Sequence, residues 1–97
     1  MQIYEEEGKL VIQPTGSIRS DNATELDTEI RKAAAEHPKL PLVIDARGIS
    51  YISSSGLRVL LALQKELPKA PVIRNVTPEV YDIFEVTGFS DILDIEE

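Results

Sequence analysis

Three consecutive serines and a glycine, Ser53-Ser54-Ser55-Gly56, are the residues of this chain whose types and spacing best suit chemistry. They fall between a short apolar run, Ile49–Ile52, and an apolar segment at 57–67 that reads as a helix. The first amides of a helix lack intrahelical partners and carry the positive end of its dipole. A serine hydroxyl can cap such a start, and a phosphate placed there meets donors already aimed at it. Phosphorylation of a serine would add about −1.5 to −2 charges and three acceptor oxygens. Gly56 would let a partner's backbone approach closely. Arg58, four residues after Ser54, would lie within reach of a phosphate on it if the helix has begun by then. Spacing alone leaves the simpler alternative open, because a serine at a helix start is first of all a cap.

Other chemistries find little support. The chain has no cysteine and one histidine, which leaves no thiolate and argues against a zinc site. His37, before Pro38, reads as a cation near a helix end. A Ser-His-Asp hydrolase would need His37 beside Ser54, and no Gly-x-Ser-x-Gly elbow is present. The five glycines are scattered, so no glycine-rich phosphate loop exists. No cofactor or metal is expected, and the chain does not read as an enzyme.

The elements that must position the serines can be read from pattern. Residues 2–5 and 9–13 suggest two strands turning at Glu7-Gly8, hence an antiparallel pair ended by Pro14 and Gly16. Asn22 with Glu25 suggests a capping box, and Leu26, Ile30 and Ala33-Ala34 predict a helix over about 22–36, stopped at His37-Pro38. Residues 40–45 read as a buried parallel strand, and 72–76 as another. Thr77-Pro78-Glu79 starts a third helix with Val80, Ile83, Phe84 and Thr87 on one face, and Gly88 closes it. Phe89, Ile92, Leu93 and Ile95 supply a final short strand or edge segment. The order is β-β-α-β-α-β-α-β: a single α/β domain over 1–97, one mixed sheet with helices packed against it. In the second helix, Leu57, Leu60, Leu61 and Leu67 are expected to face the sheet. Val59 and Ala62 point toward its flank and are candidates for a docking surface. Arg19, Ser20 and Asp21, at the start of the first helix, are candidates to join them.

Composition narrows the class. Apolar residues at 42% and charged residues at 28% suit a globular protein rather than a disordered one. Nothing over 1–12 resembles a signal peptide, and the apolar stretch at 59–63 is too short to span a bilayer, so a cytoplasmic protein is expected. The net charge of −7 repels phosphate backbones and anionic lipids, which argues against nucleic acid or membrane and favours a basic protein partner.

The run from Ile49 through Ser53-Ser54-Ser55-Gly56-Leu57-Arg58 to Leu61 resembles the central signature of the STAS domains, the sulfate transporter and anti-sigma factor antagonist family. Further matches fall in order along the chain: Thr15-Gly16, Leu42-Val43-Ile44-Asp45, Asn75-Val76-Thr77-Pro78-Glu79-Val80, Phe84 and Thr87-Gly88-Phe89. The resemblance implies a non-enzymatic anti-sigma factor antagonist. Its partner would be an anti-sigma factor that is also a serine kinase. That kinase would phosphorylate Ser54 and so block docking, with Ser55 and Ser53 as alternative acceptors. A metal-dependent, PP2C-type phosphatase would reverse the modification. The family's aspartate stands at position 53, where this chain has Ser53. The other implied role is a STAS scaffold or small-ligand-binding module with no phosphoswitch.

Overall fold

A computed structural model describes residues 1–96. Strands β1 (Gln2–Glu6) and β2 (Lys9–Gln13) form an antiparallel hairpin. Glu7 and Gly8 both take positive φ, 50° and 75°, as a two-residue turn of the twist-matched kind requires. The remaining elements are β3 (Gly16–Ile18), α1 (Ala23–Glu36), β4 (Leu42–Asp45), β5 (Ile49–Ile52), α2 (Ser54–Glu66), β6 (Val72–Arg74) and α3 (Pro78–Thr87). The α/β class and the antiparallel first pair followed by parallel strands are as the sequence predicts.

The sheet, however, is not single. Four strands run in the order β1-β2-β4-β6, while β3 and β5 pair in parallel as a separate two-stranded sheet. Gly16, at φ 83°, re-aims the chain after Pro14 and starts the short β3 that pattern reading missed. The expected final strand is also reduced. Residues 89–91 form a 3-10 turn, and Ile95 makes one isolated bridge to Ile73. Ile92 is exposed there and Leu93 is buried.

Side chains alternate across the main sheet. Leu10, Ile12, Leu42, Ile44 and Ile73 join one core with Ile30 and Ala33 of α1, Leu57, Leu60 and Leu63 of α2, and Val80 and Phe84 of α3. Each such large aliphatic side chain contributes about 1.5–3 kcal/mol by leaving water. Val11 and Val43, on the other face, are buried but lie outside that cluster. In α2 the stripe differs from the expected one. Leu63 is fully buried, whereas Leu61 and Leu67 are only half-buried. The i, i+3 spacing of Leu57, Leu60 and Leu63 selects the face that packs, and Leu61 falls beside it.

Helix starts also part company with the sequence in one case. Thr77 caps α3 by accepting from the Val80 amide, and Gly88 closes it at φ 81°, both as expected. The capping box at Asn22 does not form. Its Oδ1 accepts from the Arg19 amide at 2.7 Å and its Nδ2 donates to the Ser17 carbonyl at 2.9 Å, so Asn22 ties α1 to β3 instead.

Candidate functional site

The serine loop is delivered by β5 and pinned by β3. The Ser53 amide donates to the Ile18 carbonyl at 2.8 Å. Ser53 then takes an extended conformation (φ −83°, ψ 172°) and its Oγ accepts from the Gly56 amide at 3.3 Å, making it the N-cap of α2. The Leu57 amide closes the first turn on the Ser53 carbonyl at 3.0 Å. Ser54 is therefore the first residue of the helix, and its side chain is exposed. Ser55 is half-buried. Of the three hydroxyls, that of Ser53 serves as the cap and that of Ser54 faces solvent.

Gly56 has a different reason from the one its position suggests. It is buried, and a Cβ there would sit 2.6 Å from Ile52 Cγ1 and 2.7 Å from Ile18 Cγ2. The close approach that glycine permits is that of α2 onto the β3–β5 pair, within the molecule. A side chain at 56 would push the helix start off its platform.

The surroundings assemble as the sequence suggested in outline. Arg58 is exposed one turn after Ser54 and makes no ion pair among the described residues. Ser55, Val59 and Ala62 are half-buried along one stripe of α2. Arg19, Ser20 and Asp21 are exposed directly after Ile18, which places them beside the serine loop. Arg19 Nε pairs with Asp21 Oδ1 at 3.0 Å, an exposed contact that solvent screens heavily. β5, read from its composition as an apolar run, is buried only at its two ends, Ile49 and Ile52. Ser50 and Tyr51 face solvent, with Tyr51 51% exposed, so an aromatic side chain lies three residues before Ser54. A tyrosine among apolar residues gave no signal of this, because a buried strand carries the same composition.

A second polar site was invisible to motif reading. Asp45, at the end of β4, is fully buried. It accepts from the Arg47 amide at 3.1 Å, from Arg47 Nε at 3.1 Å, from Arg74 Nε at 3.2 Å and from Asn75 Nδ2 at 3.1 Å. Arg74 continues to Glu6 Oε2 at 2.9 Å. Burial by itself pushes the Asp45 carboxyl up, but the hydrogen bonds from Arg47, Asn75 and Arg74 outweigh it and hold the carboxyl below its usual value. The signal in the sequence was an aspartate ending a Leu-Val-Ile run, with Arg47 two residues on; Arg74 and Asn75, 29 and 30 residues away, are hidden by their distance along the chain.

His37 does not meet the serines. Its Nδ1 lies 3.6 Å from Glu5 Oε1, and its side chain lines a groove with Leu67 at the C-terminal end of α2. The helix between spans about 20 Å, so no Ser-His pair forms. Among the described residues no cluster of three metal-ligating side chains occurs. No helix of the described residues is long and apolar enough to cross a membrane.

Comparison with known proteins extends this geometry. BtrV of Bordetella bronchiseptica, a candidate anti-sigma factor antagonist, is 33% identical over 92 residues, covering 92% of this chain and 78% of that protein. An anti-sigma factor antagonist from Mycobacterium paratuberculosis superposes with a TM-score of 0.85 at 23% identity, over 97% of this chain and 81% of that one. Bacillus SpoIIAA shares the fold in an unphosphorylated and a phosphorylated form. Its unphosphorylated form gives a TM-score of 0.76 at 18% identity, over 99% and 87% of the two chains. Its phosphorylated form gives 0.67 at 17%, over 99% and 90%. The family model described as the STAS domain matches residues 1–97, and with the BtrV relationship this shows that the chain belongs to the STAS domain family.

Proposed function

We propose that this domain is a cytoplasmic anti-sigma factor antagonist, without enzymatic activity, that docks onto a serine-kinase anti-sigma factor through the surface around Ser53-Ser54-Ser55-Gly56. Phosphate on Ser54 switches the docking off, and a metal-dependent phosphatase restores it. The observation that carries this reading is the placement of Ser54. It is the one serine of the three that is exposed at the first position of α2, while Ser53 is occupied as the cap and Ser55 is half-buried. The kinship with BtrV and the existence of a phosphorylated SpoIIAA structure support it.

The docking surface extends along Arg58, Val59 and Ala62 and across to Arg19, Ser20 and Asp21. Gly56 serves it indirectly, by seating the helix start. A carboxylate or phosphate at 54 adds negative charge to a surface the partner must desolvate, which costs affinity. Incubation with the cognate kinase and ATP, followed by mass spectrometry, tests the site. One phosphate on Ser54, lost in Ser54→Ala, is the expected result. A phosphate outside 53–55 contradicts it.

The second reading is a STAS scaffold or ligand-binding module without a phosphoswitch. Ser53 favours it, since it stands where the family has an aspartate and has no carboxylate to orient a kinase. Absence of any phosphate transfer from the cognate kinase selects this reading.

A further inference from the structure

The C-terminal ends of α1 and α2 and the start of β4 enclose a groove of about 270 Å3, a helix length away from the serines. Its floor is apolar, built from Ala34, Leu40, Leu42 and Leu67. The polar side chains that line it, Arg31, His37 and Lys69, are all basic. Two of these are already matched by acids. Arg31 pairs with Asp27 at 2.9 Å and Glu66 at 3.0 Å, and His37 faces Glu5. Lys69 differs: its Nζ donates to the Lys39 carbonyl at 3.2 Å, a neutral partner, and makes no ion pair among the described residues.

Two helix C-termini converge here, and their negative ends would oppose an anion. Several of the carbonyls concerned are already used within the molecule. Those of Ala33 and Ala34 accept from the His37 amide, that of His37 from the Leu40 amide, and that of Leu63 from the Leu67 amide. Lys69 is the one basic group of this lining without an acidic partner among the described residues, and it stands beside an apolar floor. Ligand sites have this composition, a concave apolar surface with a few convergent polar groups, and this one lies near the small end of their usual range of about 300–1,000 Å3.

We propose that the groove binds a medium-chain aliphatic carboxylate, of roughly six to ten carbons by volume, with its tail on the Leu40, Leu42 and Leu67 floor and its carboxylate on the Lys69 ammonium. The site is independent of the serine loop and of the function proposed for it. An NMR titration of the folded domain with octanoate, and with 1-octanol as the uncharged control, tests the assignment. Octanoate is expected to give saturable amide shifts confined to residues 31–42 and 67–69, with those of 53–56 unmoved. Octanol is expected to bind at least fivefold more weakly. Lys69→Gln, at an exposed position, should weaken octanoate at least fivefold and leave octanol unchanged. Ala35→Phe, which fills the groove from its exposed wall, should abolish both while the spectrum stays that of a folded domain. Non-saturable or scattered shifts overturn the site. Equal binding of octanol and octanoate, or an unaltered Lys69→Gln, overturns the carboxylate assignment and leaves an apolar groove with no selectivity.

Discussion

The serine loop and the Asp45 cluster are both polar, yet they are built to opposite rules. Asp45 is fully buried, and it accepts from two arginines, an asparagine and a backbone amide. Ser54 and Arg58 are exposed, and neither side chain makes a hydrogen bond or ion pair with the rest of the described molecule. A buried group must be satisfied internally or it costs the fold its desolvation energy. An exposed group left unused at the rim of a helix start costs the fold nothing and is free to meet something else. Internal saturation therefore separates the cluster that holds the β4–β5 loop from the cluster we propose as the docking surface.

The sharpest break of that comparison is Asp45→Ala. Removing the buried carboxylate leaves Asn75 Nδ2 and the Arg47 amide without their acceptor, and the low end of the usual cost applies because Arg74 keeps Glu6 and Arg47 reaches solvent. The expected loss is about 3 kcal/mol, a fall of roughly 12–24 °C in Tm for a domain of this size. Affinity for the proposed kinase partner, measured where the variant is still folded, should be unchanged. The same group sets an acid limb. Its carboxyl is held below the ordinary aspartate value in the folded state, so its stabilisation is present above about pH 4 and is lost as pH falls through the folded value. Urea melts between pH 5 and 2.5 should show that limb flattened in Asp45→Asn.

Gly56→Ala comes next. The added methyl meets Ile52 and Ile18 at distances real Cβ atoms do not show, so the helix start must shift, at about 1–3 kcal/mol. An unchanged Tm would mean the β3–β5 platform yields freely. Ser53→Ala removes the cap and should cost about 1 kcal/mol, read from the chemical denaturation midpoint. Ser53→Asp keeps a cap and supplies the carboxylate that the resemblance implies at this position. It should leave stability near that of the wild type and raise the rate of phosphorylation by the cognate kinase. A rate unchanged within error would make the departure at 53 silent.

Much of this architecture was legible because local rules decided it. Glu7-Gly8 demanded a tight turn, Thr77-Pro78 started a helix, and Gly88 ended it. The serine loop was legible for the same reason, as hydroxyls at a helix start following an apolar strand. What escaped depended on tertiary partners. Asn22 had the composition of a cap, but its side chain was drawn to Ser17 and Arg19. β3 is three residues long and exists only because β5 lies beside it. Leu63 outranked Leu61 in burial because the angle at which α2 meets the sheet selects one stripe of an apolar helix. Asp45 and Arg74 are 29 residues apart, and no periodicity connects them.

Ser54→Asp should disturb the fold least of all, since aspartate is favoured in the first turn of a helix, and should disturb docking most. Titration calorimetry against the kinase, paired with a thermal melt of the same variant, tests the central claim most directly. The account predicts affinity weakened by about 1–3 kcal/mol with Tm nearly unchanged. Equal affinity for wild type and Ser54→Asp would contradict the electrostatic switch and leave the scaffold reading in its place.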